Sequence, residues 1–300
     1  MYSVPARTTI LAFGLWLFSC GVVLASDAQD LTGGEGAFVK QLTALEQEAG
    51  GRLGVVLLDT GNGRQWSYRG DERFALCSTF KVLLSAAVLK AVDEGELTLD
   101  QPVAYGPEDL QEYGPITRKH VGDGQMTVGA LSAAAVEYSD NTAANLLLGL
   151  IDGPQGVTRF VRTLGDQVTR LDRYEPFLNS NLAGDERDTT TPRAMTRTLA
   201  RLLTGSVLEK ASQQQWIDWM VNNTTGDRRI RAAADPSWVV GDKTGTGDNQ
   251  ATNDVAILWP PGKAPLVLVV YYSGADIPLA QRDAVIARAA GAALAVVSSD

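Results

Sequence analysis

Histidine and cysteine are scarce in this chain of 300 residues, which has one histidine, His120, and two cysteines, Cys20 and Cys77. A zinc site built from His and Cys therefore lacks ligands, and a Ser-His-Asp triad could draw only on His120. That residue lies in Thr117-Arg118-Lys119-His120-Val121, apart from any hydroxyl or carboxylate motif, and reads as structural. Positive charge is short as well: 26 Lys and Arg stand against 35 Asp and Glu, a net charge of -9. With no basic run in the chain, nucleic acid is not an expected partner. After residue 25 there is no apolar run long enough to span a membrane, and there is no internal repeat or low-complexity linker. No cofactor motif appears, and nothing calls for an obligate oligomer, so a monomer without metal or cofactor is expected.

The 45% apolar content is enough for one large domain or two smaller ones. Residues 1–25 read as a signal peptide: Arg7 precedes the apolar run Ile10 to Leu17, and Val23-Leu24-Ala25 resembles a cleavage site before Ser26-Asp27. Export, to the periplasm or beyond, is the expectation. Leu17-Phe18-Ser19-Cys20 resembles a lipoprotein box, with Phe18 a poor fit, so anchoring at Cys20 is the minor alternative. Removal of the leader leaves Cys77 alone and no intramolecular disulfide possible.

In the mature part, Phe38, Leu42 and Leu45 recur at helical spacing over Gly34 to Ala49, with Gly50-Gly51 as the stop. Arg52 to Thr60 and a segment through Trp66 and Tyr68 read as a hairpin around Gly61-Asn62-Gly63. Helical patterns then dominate to Met220: Val82–Val92, Gly129–Tyr138, Thr142–Ile151, Val157–Leu164, Ala194–Leu203 and Gln213–Val221. Strands return at Trp238–Lys243, Asn253–Leu258 and Leu266–Tyr272, and an Ala-rich helix, Leu279–Val297, closes the chain. The expectation is an α+β fold: a discontinuous α/β domain from 26–69 and 221–300, and an all-helical domain from 70–220.

Three short motifs carry chemistry. Ser78 and Lys81 stand one turn apart where an apolar helical run begins. Backbone N–H groups collect at such a start and favour an oxyanion, while a lysine in an apolar surround has its ammonium disfavoured and can relay a proton. Ser139-Asp140-Asn141 offers a second hydroxyl for proton transfer and an amide for a substrate amide, although alone it reads as a turn and helix cap. Lys243-Thr244-Gly245 ends a predicted strand, where a cation and a hydroxyl suit a carboxylate. A long polar segment, 170–188, contains Glu175-Pro176 and Asn179, which together could hold a water.

In this order the three motifs resemble the set found in class A serine β-lactamases and penicillin-binding proteins. Arg170-Leu171-Asp172-Arg173-Tyr174-Glu175-Pro176-Phe177-Leu178-Asn179 resembles the omega loop of class A enzymes, and Glu112-Tyr113-Gly114-Pro115 their substrate-stacking segment. The resemblance implies an antiparallel sheet flanked by terminal helices beside a helical domain, with the site between. It implies hydrolysis of penicillins and cephalosporins, conferring resistance, through an acyl-enzyme on Ser78. Lys81 and Glu175 are both implied bases for acylation, with Glu175 and Asn179 activating the deacylating water. Ser139 and Lys243 would serve the leaving nitrogen and Asn141 the side-chain amide. Thr244, Gly245, Thr246 and Arg229 would serve the substrate carboxylate and oxyanion, Tyr113 the stacking contact. Arg228 is an alternative to Arg229, and Arg173 with Asp188 resembles the ion pair that closes the loop.

Departures from the family pattern are Phe177, where an acidic residue is usual, and Gly247, where some carbapenem-hydrolysing relatives carry a cysteine bonded to the counterpart of Cys77. The resemblance thus gives no ground for carbapenem turnover, while Thr246 would favour cephalosporins. The competing readings are a D,D-peptidase or penicillin-binding enzyme that acylates without fast turnover, a β-lactam sensor, and a Ser-Lys esterase.

Overall fold

The computed structural model describes residues 1–3 and 34–298. Residues 4–25 of the expected leader, with its cleavage site and Cys20, lie outside the described residues. The chain opens with α1 (Gly34–Ala49), β1 (Arg52–Asp59), β2 (Gln65–Tyr68) and β3 (Phe74–Ala75), then a single tight turn, Cys77–Thr79, that runs into α2 (Phe80–Asp93). There follow β4 (Pro102–Ala104), α3 (Thr117–His120), β5 (Gln125–Thr127), α4 (Val128–Glu137), α5 (Asn141–Leu150), α6 (Pro154–Thr163), β6 (Thr189–Thr190), α7 (Pro192–Thr204) and α8 (Lys210–Val221). The last part holds α9 (Ile230–Ala233), β7 (Val239–Thr246), β8 (Thr252–Trp259), β9 (Leu266–Ser273) and α10 (Leu279–Ser298).

One five-stranded antiparallel sheet, in the order β2-β1-β9-β8-β7, organises the molecule. Its central strand shows why. β9 reads Leu-Val-Leu-Val-Val-Tyr-Tyr with no polar residue before Ser273, because both faces are covered. Leu266, Leu268, Val270 and Tyr272 pack with α1 and α10, whereas Val267, Val269 and Tyr271 join the helical core on the other side. That second core is built around α2, whose residues from Phe80 to Leu89 are all buried; a helix buried on every side carries no amphipathic stripe.

The expected α+β class is the one observed, with differences in detail. The helical stretch also contains β4, β5 and β6, which pair as β4-β5 and β3-β6. Strands of two or three residues have no periodicity to read. The strand expected to stop at Lys243 runs on through Thr246, since Thr244, Gly245 and Thr246 pair with Asp254, Asn253 and Thr252. Sheet pairing outweighs the local weakness of a glycine in a strand.

Candidate active site

The turn before α2 puts Ser78 at the mouth of a cleft against β7. Cys77 adopts φ 44°, an uncommon left-handed conformation for a non-glycine residue, and is fully buried. Gly245 makes the close approach possible: a Cβ there would meet Leu76 O at 3.0 Å and Cys77 Cβ at 3.2 Å. β7 is an edge strand of the sheet, so its unpaired side is turned away from β8.

Three side chains close a triangle at the base of the cleft. Lys81 Nζ donates to Ser78 Oγ at 3.0 Å and lies 3.0 Å from Glu175 Oε1, and Ser78 Oγ donates to the same carboxylate oxygen at 3.4 Å. The side chains of Lys81 and Glu175 are fully buried. Burial pulls the Lys81 ammonium below its ordinary pKa, and the Glu175 carboxylate opposes that shift. The expected apolar surround of Lys81 is corrected here. Its ammonium also donates to Ser139 O at 2.8 Å and to Asn141 Oδ1 at 2.6 Å, so desolvation rather than apolar contact disfavours the charge.

Ser139 is a second left-handed residue, φ 59°, lodged between α4 and α5. Asp140 fixes this turn: it caps α5 through Ala143 N, and its other oxygen accepts from Ile116 N and Thr117 N, each at 2.9 Å. Asn141 N donates to Tyr113 O at 2.9 Å, which brings the half-exposed Tyr113 to the rim. Ser139 Oγ accepts from Lys243 Nζ at 3.1 Å. Lys243 is wholly buried, and its pKa is lowered to about 7, by desolvation first and by neighbouring Lys81 second.

The 170–188 segment is held at several points. Arg173 Nε donates to Asp188 Oδ2 at 2.5 Å, and the backbone N–H groups of Asp172 and Arg173 donate to Asp188 Oδ1. Asn145 clasps Glu175 with both ends of its amide, Oδ1 accepting from Glu175 N at 3.0 Å and Nδ2 donating to Glu175 O at 2.9 Å. Asn179 Nδ2 donates to Glu175 Oε2 at 2.5 Å, while Asn179 Oδ1 is buried and has no hydrogen-bond partner among the described residues.

A cavity of about 380 Å³ lies in front of these groups, lined by Ser78, Tyr113, Ser139, Asn141, Asn179, Arg229, Thr244, Gly245 and Thr246, with Thr225 and Leu279. Lys81, Glu175 and Lys243 sit behind its wall. Of the two arginines considered, Arg229 is the one at the cavity: it is buried, donates to Thr246 Oγ1 at 2.8 Å and is held by Asp283 of α10 at 2.8 Å, whereas Arg228 is exposed.

Sequence reasoning missed Asn145, Thr225 and Asp283. Asn145 had a signal, because it interrupts the apolar run of α5 four residues after Asn141 and so shares its face. Thr225, whose hydroxyl shares a 2.6 Å hydrogen bond with that of Thr244, and Asp283 are brought in by tertiary packing and had none.

The beta-lactamase enzyme family profile matches residues 37–297. Beta-lactamase CTX-M-8 of Citrobacter amalonaticus is 51% identical over 251 residues, 84% of this chain and 86% of that one. The carbapenem-hydrolyzing beta-lactamase KPC of Klebsiella oxytoca is 51% identical over 251 residues, 83% of this chain and 85% of its own. Among solved structures, the class A beta-lactamase of the last common ancestor of Gram-negative bacteria superposes with a TM-score of 0.86 at 56% identity, over 87% of this chain and 99% of that one. Together with the buried Ser-Lys-Glu triangle, these likenesses establish that the chain belongs to the beta-lactamase enzyme family, as a class A serine β-lactamase.

Proposed function

We propose that Ser78 Oγ opens the ring of penicillins and cephalosporins, that the resulting ester is hydrolysed at Glu175, and that the enzyme thereby confers β-lactam resistance. The observation that carries this reading is the triangle itself: the serine oxygen touches both a buried amine and a buried carboxylate. Ser78 Oγ attacks the lactam carbonyl, and its proton passes to Lys81 or Glu175, both within direct reach. The developing oxyanion meets the N–H groups of Ser78 and Thr246, where the helix start faces the sheet edge. As the ring C–N bond breaks, Ser139 Oγ, held by Lys243, delivers its proton to nitrogen and is reprotonated through Lys81 by the proton taken from Ser78. Thr244, Thr246 and Arg229 receive the substrate carboxylate, Asn141 its side-chain amide, and Tyr113 stacks at the rim. A water held by Glu175 Oε2 and the free acceptor Asn179 Oδ1 then gives its proton to Glu175 and attacks the ester, and Glu175 returns that proton to Ser78 Oγ as the ester bond breaks. No step calls for a cofactor.

A peptidase, sensor or esterase reading explains less, since none of these requires the clasped Glu175 beside the nucleophile. The working division of the molecule follows the same lines: 26–69 with 221–300 as the α/β part, 70–220 as the helical part. Export after removal of residues 1–25 and action as a monomer on small-molecule drugs, without nucleic acid, complete the proposal.

The test is intact mass during reaction with benzylpenicillin for the protein from Ser26 onward and its Glu175→Gln variant. The parent is expected to show little adduct while the drug disappears. The variant should accumulate one acyl group, with deacylation slowed by on the order of 10²–10⁴-fold. A long-lived adduct on the parent, with the drug left intact, would make this a penicillin-binding protein.

A further inference from the structure

Strand β8 is buried along its length, yet it carries an asparagine near its start. Asn253 is 1% exposed, and Val255, Ala256 and Ile257 follow it on the same strand. Asparagine is a poor strand former, and a buried amide is costly unless its donors are used. The partners of this one belong to another part of the fold. Asn253 Nδ2 donates to Ala75 O at 2.8 Å and to Leu76 O at 3.3 Å, the two residues that lead into the Cys77–Ser78 turn.

That turn needs holding. Cys77 is left-handed, an uphill backbone for any residue with a side chain, and such a conformation persists only where its surroundings fix it. On the loop side, Leu76 N donates to Asp188 O at 2.8 Å; within the turn, Thr79 Oγ1 donates to Leu76 O at 2.7 Å. From the sheet, Tyr271 of β9 shares a 3.1 Å hydrogen bond with Thr79 Oγ1, just after the nucleophile, and Asn253 holds the residues just before it. Of these anchors Asn253 is the one on the strand paired to β7. Its register partner is Gly245, and the adjoining pair is Thr252 with Thr246. Its own carbonyl accepts from Arg229 Nη1 at 2.7 Å, as Gly245 O does at 2.9 Å. One residue thus grips the Ser78 turn by its side chain, the Thr246 end of β7 by its register, and the arginine at the cavity by its backbone.

We propose that Asn253 is a positioning residue for the oxyanion hole of the hydrolysis proposed above, on which this inference rests: its amide fixes the spacing between the backbone N–H groups of Ser78 and Thr246, so that both reach the carbonyl oxygen of the drug at once. Asn253 touches no reacting atom. Without its amide, the left-handed turn loses its hold on the sheet, and the N–H of Ser78 shifts relative to that of Thr246. The negative charge develops on the same oxygen in ring opening and in hydrolysis of the ester, so both steps slow together. This separates Asn253 from Glu175, whose loss leaves the acyl adduct standing.

The test uses N253L, which keeps the volume and removes the donor, and N253A, which removes both. V255A, two residues along on the same face of β8, is the control for a loosened core. Rates of acylation and deacylation with benzylpenicillin are read by rapid quench and intact mass. Each is expected to fall at least about tenfold in both Asn253 variants and to stay close to the parent's in V255A. The second reading is the infrared band of the ester carbonyl in the adduct that accumulates on Glu175→Gln. Hydrogen bonds from the two N–H groups weaken this C=O bond and lower its frequency. Adding N253L or N253A should therefore move the band to higher wavenumber, while adding V255A should leave it in place. Unchanged rates, a band that stays in place while the rates fall, or a band that moves equally in V255A overturns the proposal and leaves Asn253 a purely structural contact. If Glu175→Gln collects no adduct on Ser78, the hydrolase reading fails and the role of Asn253 fails with it.

Discussion

Lys81 and Lys243 are both sealed from solvent and both donate to Ser139 Oγ, yet the site uses them differently. Lys81 has a carboxylate at 3.0 Å, whereas Lys243 has hydroxyl and carbonyl partners and a nearby cation. Burial and the neighbouring Lys81 lower the pKa of Lys243 to about 7. Since only the ammonium can donate to Ser139 Oγ and back its proton delivery, kcat/KM measured against pH should fall on the alkaline side with a midpoint near that value. In K243R the guanidinium stays charged throughout, so the alkaline limb should move upward in pH. An alkaline limb at the same pH in both proteins would show that another group governs it. Ser78 and Lys81 were legible because a spacing of three residues survives folding into a helix. The partners of Lys243 were not, because the 104 residues separating it from Ser139 carry no local pattern.

At the scale of elements, the 170–188 loop shows what a long polar segment needs in order to act as part of a rigid site. Asp188 is completely buried and accepts from Arg173 and from two backbone N–H groups, and Asp188 O in turn accepts from Leu76 N, two residues before the nucleophile. The loop and the Ser78 turn thus share one anchor. Arg173→Ala is expected to cost about 2 kcal/mol, the loss of a charge-assisted hydrogen bond to a buried carboxylate. It should slow deacylation more than acylation and open the loop to protease. Unaltered kinetics with unaltered protease resistance would remove the anchor's role. The ion pair could be foreseen from the Arg173 and Asp188 bracket; the link to Leu76 could not, since a backbone bond leaves no trace in residue identity. The long helices and the strands β1, β8 and β9 were readable within a residue or two from apolar period, except that α6 and α8 each begin three residues earlier than expected. β4, β5 and β6 exist only because their neighbours do.

Across the whole molecule, two hydrophobic cores meet on opposite faces of one sheet, and charge is buried along the seam. Asp254 on β8 is fully buried; Oδ2 accepts from Ile230 N at 3.0 Å, while Oδ1 has no partner among the described residues. Desolvation, reinforced by neighbouring Asp242, holds its carboxyl well above the ordinary 3.8. A carboxyl raised in the folded state binds its proton more tightly there than in the unfolded chain. Its contribution to stability is complete below the unfolded value and is lost as pH rises through the folded one. D254N never ionises. The difference in Tm between variant and parent should therefore shift in the variant's favour as pH rises from 4 towards neutrality. A difference independent of pH would mean that Asp254 keeps an ordinary pKa.

The edge strand β7 has one further consequence. An uncovered strand edge invites pairing with any extended chain, the first step towards intermolecular sheets. Here α8 leans on Gly241, where a Cβ would lie 3.1 Å from Met220 Cβ, and the Ser78 turn leans on Gly245. The catalytic cleft is thus also the stopper on the sheet's open side. A side chain forced in at Gly245 would do more than spoil hydrolysis: it would uncap the edge and turn an inactive enzyme into an aggregating one.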